Sequence, residues 1–291
     1  MPSSTIVITP SGRRGDNVAN IQLLEDAIKA EAENAEDCFF VGMDLEGIDL
    51  GRHPGTLEVI SLSVGREPLH SFVIDAKMFE DADENGARLL DILERMLGHE
   101  HCVTVFHDCR RDCDALHHHL NLMPVNVHDT SIGHWVLMGK ENTNLNNTLE
   151  AWGVPINKSR GRINYRDNPG YWGQRPLTGE MVLYAKGDVD SLVPMALKQL
   201  SSIANEADEQ RIREMSQTYR DCLVGMEFEW LECQMPMRMF IGSCGRNIRA
   251  TEKRTGCFFY QSGTSHQREN GFWVYYPSSD GLRRAKKAMG Y

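Results

Sequence analysis

At positions 39 to 47 the sequence reads Phe39-Phe40-Val41-Gly42-Met43-Asp44-Leu45-Glu46-Gly47, an apolar run that ends in two carboxylates. The run predicts a buried strand, and side chains two apart in a strand share a face, so Asp44 and Glu46 are expected side by side. Two ionised carboxylates near a core are costly unless they share a proton or a cation. A hard divalent cation is the better partner. The alternative is a strand end that turns into solvent with two hydrated acids.

Length and composition are those of an ordinary globular protein. The chain has 291 residues, of which 41% are apolar and 25% charged, enough for one large domain with a small one or for two comparable domains. No run approaches the roughly 18 apolar residues of a membrane span, and no signal segment opens the chain. We expect an intracellular protein without membrane association, cytoplasmic or nuclear, with the mitochondrion left open.

The eight cysteines stand among apolar neighbours and not in paired clusters, which favours buried reduced thiols over a disulfide framework. A zinc site is an open alternative, although neither available set has a common ligand spacing. The first set is His107, Cys109, Cys113 and His117 to His119, and the second is Cys222, Cys233, Cys244 and Cys257.

Charge is unevenly distributed along the chain. From Arg238 to the C-terminus there are ten Lys or Arg against three acids, a net charge of +7, whereas the preceding residues carry −17. A basic end on an acidic body indicates a polyanion partner, with nucleic acid as the first candidate.

The periodicity of apolar residues predicts a mixed α/β sheet flanked by helices, with an antiparallel meander on one edge. Residues 1–15 are polar and irregular, residues 157–176 form a long polar loop, and a helix capped by Thr178 is expected to run to about Leu200. Predicted helices cover 18–32, 87–97, 112–120, 131–138, 145–152 and 205–219, and predicted strands cover 39–46, 57–64, 71–75, 102–106 and 125–128.

Two more acids lie near the ends of predicted elements. Asp112 opens a helix just after a buried strand, and Asp188 follows Tyr184 by four residues, which places both on one helix face. Together with Asp44 and Glu46 they form the set that a two-metal hydrolase requires. Such a set would hold two divalent cations about 3.5 to 4 Å apart, one to activate water and one to stabilise the leaving oxygen, while Tyr184 orients that water.

Three stretches, in order, resemble the DEDD exonucleases of the tyrosine subclass, typified by RNase D and the Egalitarian-type proteins. The resemblance covers about residues 38 to 200. The stretches are Met43 to Gly47 with Leu50-Gly51-Arg52, then Val105 to Asp112 with Leu116 and Asp129-Thr130, then Trp172, Arg175-Pro176-Leu177, Tyr184-Ala185 and Asp188-Val189.

This resemblance implies an RNase H-like fold, two Mg²⁺ or Mn²⁺ ions, and 3′–5′ hydrolysis of single-stranded RNA to nucleoside 5′-monophosphates. The implied catalytic residues are Asp44, Glu46, Asp112, Tyr184 and Asp188, with the four acids as metal ligands. The implied substrate contacts are Gly47, Ile48, His107 and Tyr184.

The second stretch contains two aspartates, and the family pattern puts the metal-linked one five residues after His107, which selects Asp112. Asp108 and Asp129 are then expected to be a helix-start cap and a strand-end hydrogen-bonding group. Some Egalitarian-type proteins lose catalytic acids and keep a binding role. Because all four acids and Tyr184 are present, we expect an active enzyme. The alternative is a catalytically silent RNA-binding adaptor that uses the fold as an interaction platform.

The basic end contains Ile241-Gly242-Ser243-Cys244-Gly245-Arg246-Asn247-Ile248, of the form IGxxGxxI. With the predicted strand 272–276 and the basic helix 281–289 it resembles a KH domain. Two glycines let the backbone approach a sugar-phosphate chain, and positive charge at the next helix start favours phosphate. The implied RNA contacts are Gly242, Ser243, Cys244, Gly245 and Arg246. The alternative is a small basic domain used for protein contact or for packing on the acidic body.

We therefore predict four regions and single-stranded RNA as the partner, with protein partners in an RNA-processing complex as a further expectation. The regions are a flexible tail over 1–15, an exonuclease domain over 16–204, a helical connector over 205–229 and a small α+β KH-like domain over 230–291.

Overall fold

The computed structural model describes residues 4–10, 12, 14–65, 69–80, 83–141, 143–161, 163, 168–261 and 271–291, with the side chains of Ser4, Arg14 and Cys244 outside that description. The chain forms two compact units. The larger comprises Met1–Ile163 and Trp172–Asp221, and the smaller comprises Asn164–Tyr171 and Cys222–Tyr291.

A six-stranded mixed sheet forms the centre of the larger unit, in the order β1-β4-β3-β2-β5-β6. Strands β2, β3 and β4 are antiparallel neighbours, β1 is parallel to β4, and β5 and β6 extend the other side in parallel. The predicted α/β class with a meander and parallel strands is confirmed. The strands are β1 Ser4–Ile8, β2 Phe39–Glu46, β3 Val59–Val64, β4 His70–Asp75, β5 Cys102–Phe106 and β6 Asn126–Asp129.

Helices cover both faces of this sheet, which is why its central strands are buried almost throughout. No helix within the described ranges has the length and apolar character needed to cross a membrane. The helices are α1 Arg14–Asn34, α2 Glu84–Leu97, α3 Arg110–Ala115, α4 Thr130–Met138, α5 Leu145–Ala151, α6 Gly179–Val189, α7 Leu192–Ser201 and α8 Glu206–Asp221, with shorter turns at Ala76–Phe79, Leu116–Leu120 and Tyr171–Gly173.

Gly42 lets α6 approach the centre of β2. A Cβ built there would lie 2.3 Å from Ser63 Oγ and 3.2 Å from the carbonyl oxygen of Val189. That space is used, because Ser63 Oγ donates a hydrogen bond to the Val189 carbonyl at 2.9 Å. Asp44 and Glu46 share the face of Gly42, since strand side chains alternate. The close approach therefore brings α6 towards the two acids.

Two segments differ from the predicted elements. The N-terminal segment, predicted to be irregular, forms β1, because its alternating apolar residues Ile6 and Ile8 are buried beside β4. The helix predicted from Thr178 to Leu200 is divided into α6 and α7, although Thr178 does cap α6. Pro194 explains the break, since it has no N–H for the carbonyl of Asp190.

Helix α8, predicted to be a connector, packs within the larger unit. Ile212 is buried, and Ser216 Oγ accepts a hydrogen bond from the Asp129 backbone N–H at 3.1 Å. The larger unit consequently extends to Asp221.

The smaller unit has the order β-α-α-β-β-α and an antiparallel sheet in the order β7-β9-β8. Its core lies between one face of the sheet and the helices, around Leu231, Phe259, Phe272 and Val274. Its elements are β7 Glu227–Glu232, α9 Met237–Ile241, a turn at Ser243–Gly245, α10 Arg246–Thr255, β8 Phe258–Tyr260, β9 Gly271–Tyr276 and α11 Ser279–Met289.

Candidate active site

Three carboxylates meet where β2 ends. Asp44 and Glu46 extend from the strand, Asp188 extends from α6, and one oxygen of each lies within 4.8 Å of the other two. Within the described part of the chain, this is the one group of His, Cys, Asp and Glu side chains close enough to share a metal ion. The structure therefore brings together three of the four acids predicted to bind metal.

The fourth acid, Asp112, lies beside this group in the first turn of α3. Its Oδ1 accepts a hydrogen bond from the backbone N–H of Leu45 at 2.9 Å, so the carboxylate is held against β2 between Asp44 and Glu46. Burial raises the pKa of Asp112 to about 7, although the hydrogen bond from Leu45 acts in the opposite direction. The position of Asp112 therefore depends on the strand backbone.

The electrostatics of the site favour a bound cation. Burial raises the pKa of Asp44 well above its usual value, and the negative charges of Asp188 and Asp112 raise it further. Burial and then the charge of Asp44 do the same to Glu46. Oδ2 of Asp44 is buried and has no hydrogen-bond partner among the described residues. Burying a carboxylate oxygen without a partner costs free energy, and carboxylate oxygens are preferred ligands of hard divalent ions. The residues present therefore fit Mg²⁺ or Mn²⁺.

Two residues outside the predicted site hold Asp188. Arg160 Nε donates to Oδ1 of Asp188 at 2.6 Å and Arg160 Nη2 donates to Oδ2 at 2.8 Å, which makes the ion pair bidentate. Asn157 Nδ2 donates to Oδ1 of Asp188 at 2.7 Å. Both residues lie in the long polar loop, and the one sequence signal was the position of these polar side chains shortly before the last motif.

Tyr184 lies one helical turn before Asp188 on α6 and is buried. Its ring and the ring of Trp172 pack edge to face with 5.6 Å between ring centres, and the Arg160 guanidinium carbon lies 5.7 Å from the centre of the Tyr184 ring. Asn157 Nδ2 also donates to the Tyr184 carbonyl at 2.9 Å. Tyr184 is thus fixed on the helix face that carries Asp188.

Comparison with known proteins assigns this arrangement to a family. The sequence model of a family described as 3′–5′ exonuclease matches residues 16–203, well over half of the chain. The chain belongs to the 3′–5′ exonuclease family. The matched range contains all four predicted acids and Tyr184.

Individual relatives of this exonuclease-family chain are distant. Ribonuclease D from Sphingobium indicum is 27% identical over an alignment of 145 residues, and the match covers 46% of this chain and 36% of the relative. The catalytic core of RRP6 from Trypanosoma brucei is 22% identical, with a TM-score of 0.54 over 75% of this chain and 52% of that one. Trypanosoma brucei RNase D in complex with RNA U12 is 16% identical, with a TM-score of 0.56 over 76% of this chain and 71% of that one. The chain thus spans about a third of the length of the ribonuclease D and about half of the RRP6 core.

Two arginines anchor the loops around the exonuclease-family site. Arg175 forms a bidentate ion pair with Asp75 at 2.7 and 2.8 Å and donates to the Glu58 carbonyl at 3.0 Å, which fixes the entry to α6 at the ends of β3 and β4. Arg52 pairs with the buried Asp114 through its backbone N–H at 2.8 Å and its guanidinium at 2.6 Å. This pair fixes the turn after Glu46 against α3.

Asp129 has a structural role, as expected. Its carboxylate accepts hydrogen bonds from the backbone N–H of Ser131 at 2.9 Å, of Cys109 at 2.8 Å and of Asp108 at 3.1 Å, which caps α4 and holds the chain before α3. Asp108, expected to cap a helix, instead pairs with Arg110 at 2.5 and 2.7 Å. Asp108 lies one residue before the cap position of α3, which Cys109 occupies without a side-chain hydrogen bond.

His107, implied to contact substrate, has both ring nitrogens engaged within the protein. Nδ1 lies 3.0 Å from Thr130 Oγ1 and Nε2 lies 2.9 Å from the Thr143 carbonyl. Burial lowers its pKa. In this conformation the ring joins α4 to the start of α5 and has no nitrogen left for a substrate.

The other two implied substrate contacts lie in the turn after β2. A Cβ at Gly47 would lie 1.9 Å from the Thr56 carbonyl oxygen, so the turn requires glycine there. The Ile48 N–H donates to Thr56 Oγ1 at 3.0 Å, and the Ile48 side chain lies against Gly173, beside Trp172. Ile48 therefore lies near the aromatic support of Tyr184.

In the smaller unit the predicted RNA-binding loop joins α9 to α10. Gly242 and Gly245 adopt φ values of 73° and 74°, which residues other than glycine rarely adopt. Ser243 and Arg246 are exposed. The side chain of Cys244 lies outside the described atoms. The backbone geometry thus explains both glycines of the IGxxGxxI pattern.

The first zinc alternative has no support in the geometry of its described residues. Cys109 and Cys113 are buried in the main apolar core, and His119 Nε2 hydrogen-bonds to the Gly51 carbonyl at 2.7 Å. The second set includes Cys244, whose side chain is not described.

Proposed function

We propose that the protein is a divalent-metal-dependent 3′–5′ exoribonuclease that removes nucleoside 5′-monophosphates from single-stranded RNA. The observation that carries the proposal is the group of Asp44, Glu46 and Asp188, in which a buried oxygen of Asp44 has no partner among the described residues. This group lies within the region that matches the exonuclease family.

RNA is the proposed substrate for two reasons. One relative is a ribonuclease D, and one similar structure is an RNase D in complex with RNA U12. The chain itself carries a C-terminal region of net charge +7 behind an acidic body. Because affinity for nucleic acid depends largely on cations that neutralise phosphates, that region supplies the long-range attraction that the body lacks.

In the proposed reaction Asp44, Glu46, Asp112 and Asp188 would hold the metal ions. Two bound Mg²⁺ or Mn²⁺ ions would supply activation of water and stabilisation of charge on the leaving oxygen. The hydroxyl of Tyr184 orients the attacking water, and its ring is kept in place by Trp172. Asp112 and Asp188 are buried whereas Asp44 and Glu46 are half-buried, and charges shielded from water have stronger electrostatic effects.

The proposed domain arrangement assigns cleavage to residues 16–204 and RNA binding to a KH-like domain over 230–291. Support comes from the β-α-α-β-β-α order and from the exposed helix-to-helix loop with its two glycines of positive φ. Protein partners in an RNA-processing complex belong to the same proposal.

One assay tests the enzyme. A 5′-labelled single-stranded RNA incubated with protein and Mn²⁺ is expected to give a descending ladder, which chelator and Asp44→Asn abolish. Intact RNA after incubation with well-folded wild-type protein contradicts the proposal.

A catalytically silent RNA-binding adaptor is the second candidate, and the ion pair between Arg160 and Asp188 favours it, because a guanidinium occupies a predicted metal ligand. The same assay separates the two. An adaptor shifts the labelled RNA in a native gel and leaves its length unchanged in Mn²⁺.

A further inference from the structure

Arg160 is the one basic side chain, among those described, that pairs with an acid of the group Asp44, Glu46, Asp112 and Asp188. Its guanidinium takes both oxygens of Asp188, whose side chain is fully buried, while 31% of the Arg160 side chain remains exposed. Among the described ion pairs, the group of four carboxylates therefore has one monovalent cation as a partner.

This ion pair and a metal ion compete for the same atoms. Oδ1 of Asp188 already accepts one N–H from Asn157 and one from Arg160. Oδ2 accepts the second N–H that Arg160 donates. A carboxylate offers about four lone-pair positions, and a hard divalent ion binds at roughly 2.0 to 2.6 Å. Three of these positions are occupied, and a guanidinium repels a divalent cation, so an ion that binds Asp188 competes with Arg160 and favours its displacement.

The displaced side chain cannot leave the site, because its backbone is fixed by Asn157. Asn157 exchanges two hydrogen bonds of 2.9 Å with Asn146, and its Oδ1 accepts the backbone N–H of Ser159 at 2.8 Å. Only the side chain of Arg160 is free to swing. A planar guanidinium beside bound metal ions is suited to a bidentate contact with phosphate oxygens.

We propose that Arg160 is a phosphate-binding residue that changes partner. It neutralises Asp188 when the site holds no metal, and metal binding releases it onto the phosphate of the 3′-terminal nucleotide. This proposal rests on the proposed nuclease function. By linkage, metal and nucleotide phosphate then favour each other's binding, because each engages a partner that the ion pair would otherwise hold.

The first measurement is Mn²⁺ binding by calorimetry without RNA. Arg160→Gln is expected to bind Mn²⁺ about tenfold more tightly than wild type, since the competing group is gone. Arg88→Gln is the matched control, because Arg88 is 33% exposed, pairs with Glu25 at 2.8 Å and loses the same charge. Unchanged or weaker Mn²⁺ binding by Arg160→Gln overturns the proposal.

The second measurement compares uridine 5′-monophosphate with uridine at saturating Mn²⁺. In Arg160→Gln the affinity for the monophosphate is expected to fall about tenfold, which is about 1.4 kcal/mol, while the affinity for uridine stays constant, because only the monophosphate loses a charged hydrogen-bond partner. Arg160→Lys keeps the charge and loses the bidentate geometry, so its affinity for the monophosphate is expected to lie between those of wild type and Arg160→Gln. A purely structural role lowers both affinities equally, and equal affinity ratios in wild type and Arg160→Gln overturn the proposal.

RNA digestion distinguishes failure of this inference from failure of the proposed nuclease function on which it rests. If wild type shortens RNA but Arg160→Gln keeps wild-type affinities, only the role of Arg160 fails. If wild type leaves RNA intact while the two binding results hold, the nuclease function fails and the partner exchange stands.

Discussion

The backbone N–H of Leu45 donates a hydrogen bond to Oδ1 of Asp112 at 2.9 Å, and Leu45 separates the two acids of β2. Strand geometry thereby positions three carboxylates at once: Asp44 and Glu46 through their side chains, and Asp112 through the intervening N–H. Asp188 joins them because Gly42 allows α6 to approach the strand.

The choice of Asp112 over Asp108 gives the first prediction. Asp44→Asn, Asp112→Asn and Asp188→Asn are each expected to lower kcat by more than about 100-fold, because loss of supporting contacts around a metal alone costs about 10 to 100-fold. Asp108→Asn is the matched control, since Asp108 pairs with Arg110 and asparagine tolerates its φ of 65°. Initial rates on labelled RNA in Mn²⁺ measure this. A loss with Asp108→Asn as large as that with Asp112→Asn would reverse the assignment.

The raised pKa values predict the pH dependence of stability without metal. Burial raises the pKa of Asp112 to about 7 in the folded protein, and it raises those of Asp44 and Glu46 as well. Stability from these acids is complete below their unfolded pKa near 4 and is lost as pH rises through the folded value. In chelator, the free energy of unfolding should therefore fall from pH 5 to pH 8, by at most about 1.4 kcal/mol per pH unit for each proton released. The melting temperature should fall with it.

Two comparisons isolate this effect. Mn²⁺ should flatten the profile, because it stabilises the ionised acids. The difference between wild type and Asp112→Asn removes the contribution of His107 and His128, whose pKa values are lowered by burial and which act in the opposite direction. Parallel profiles for wild type and Asp112→Asn would contradict the prediction.

Tyr184→Phe tests the hydroxyl apart from the ring. The ring should keep its edge contact with Trp172, so the melting temperature should stay within about 2 °C of wild type. Loss of the hydroxyl that we propose orients the attacking water should lower kcat by about 100-fold with little change in KM. Steady-state kinetics on short RNA measures both. A rise in KM at constant kcat would instead make Tyr184 a binding residue.

Gly187 makes room for Asn157 against α6. A Cβ at Gly187 would lie 2.5 Å from Cγ and Oδ1 of Asn157, so Gly187→Ala should displace the side chain that holds Asp188 and the Arg160 turn. The expected cost is about 1 to 3 kcal/mol of unfolding free energy together with lower activity. Gly179→Ala on the same helix is the control, because a Cβ there has no neighbour within 4 Å in the described structure. Chemical denaturation of both variants decides.

Local spacing explains what the sequence could predict of this site. The alternation that aligns Asp44 with Glu46 and the helical turn that joins Tyr184 to Asp188 are properties of single elements, so they follow from the sequence. The pair of Arg160 and Asp188 joins a loop to a helix through tertiary folding, and no periodicity encodes it. The break between α6 and α7 did have a sequence signal, namely Pro194, although the surrounding apolar pattern concealed it.

The smaller unit should bind RNA without taking part in its cleavage. Ser243→Asp combined with Cys244→Asp adds two negative charges to the loop between α9 and α10, where the proposal puts RNA phosphates. We expect weaker RNA binding, a shallower salt dependence and a higher KM, because a protein that neutralises fewer phosphates releases fewer counterions. On short oligonucleotides kcat should stay near wild type, since the binding that the change removes is shared by the ground and transition states. Gel shifts at several salt concentrations and steady-state kinetics measure these effects.

A charge-matched control separates the loop from the net charge of the unit. Ser279→Asp with Lys287→Gln also changes the charge by −2, at exposed positions of α11, and should weaken binding much less than the loop change does. Asp188→Asn should behave in the reverse way to the loop variant, with RNA affinity near wild type and no turnover. A phosphate bound at the loop should be affected more by a charge placed in the loop than by the same charge placed on α11. If both double variants weakened RNA binding equally, only the overall positive charge of the smaller unit would matter. If the loop change left affinity and its salt slope untouched, the small unit would be assigned to protein contact instead.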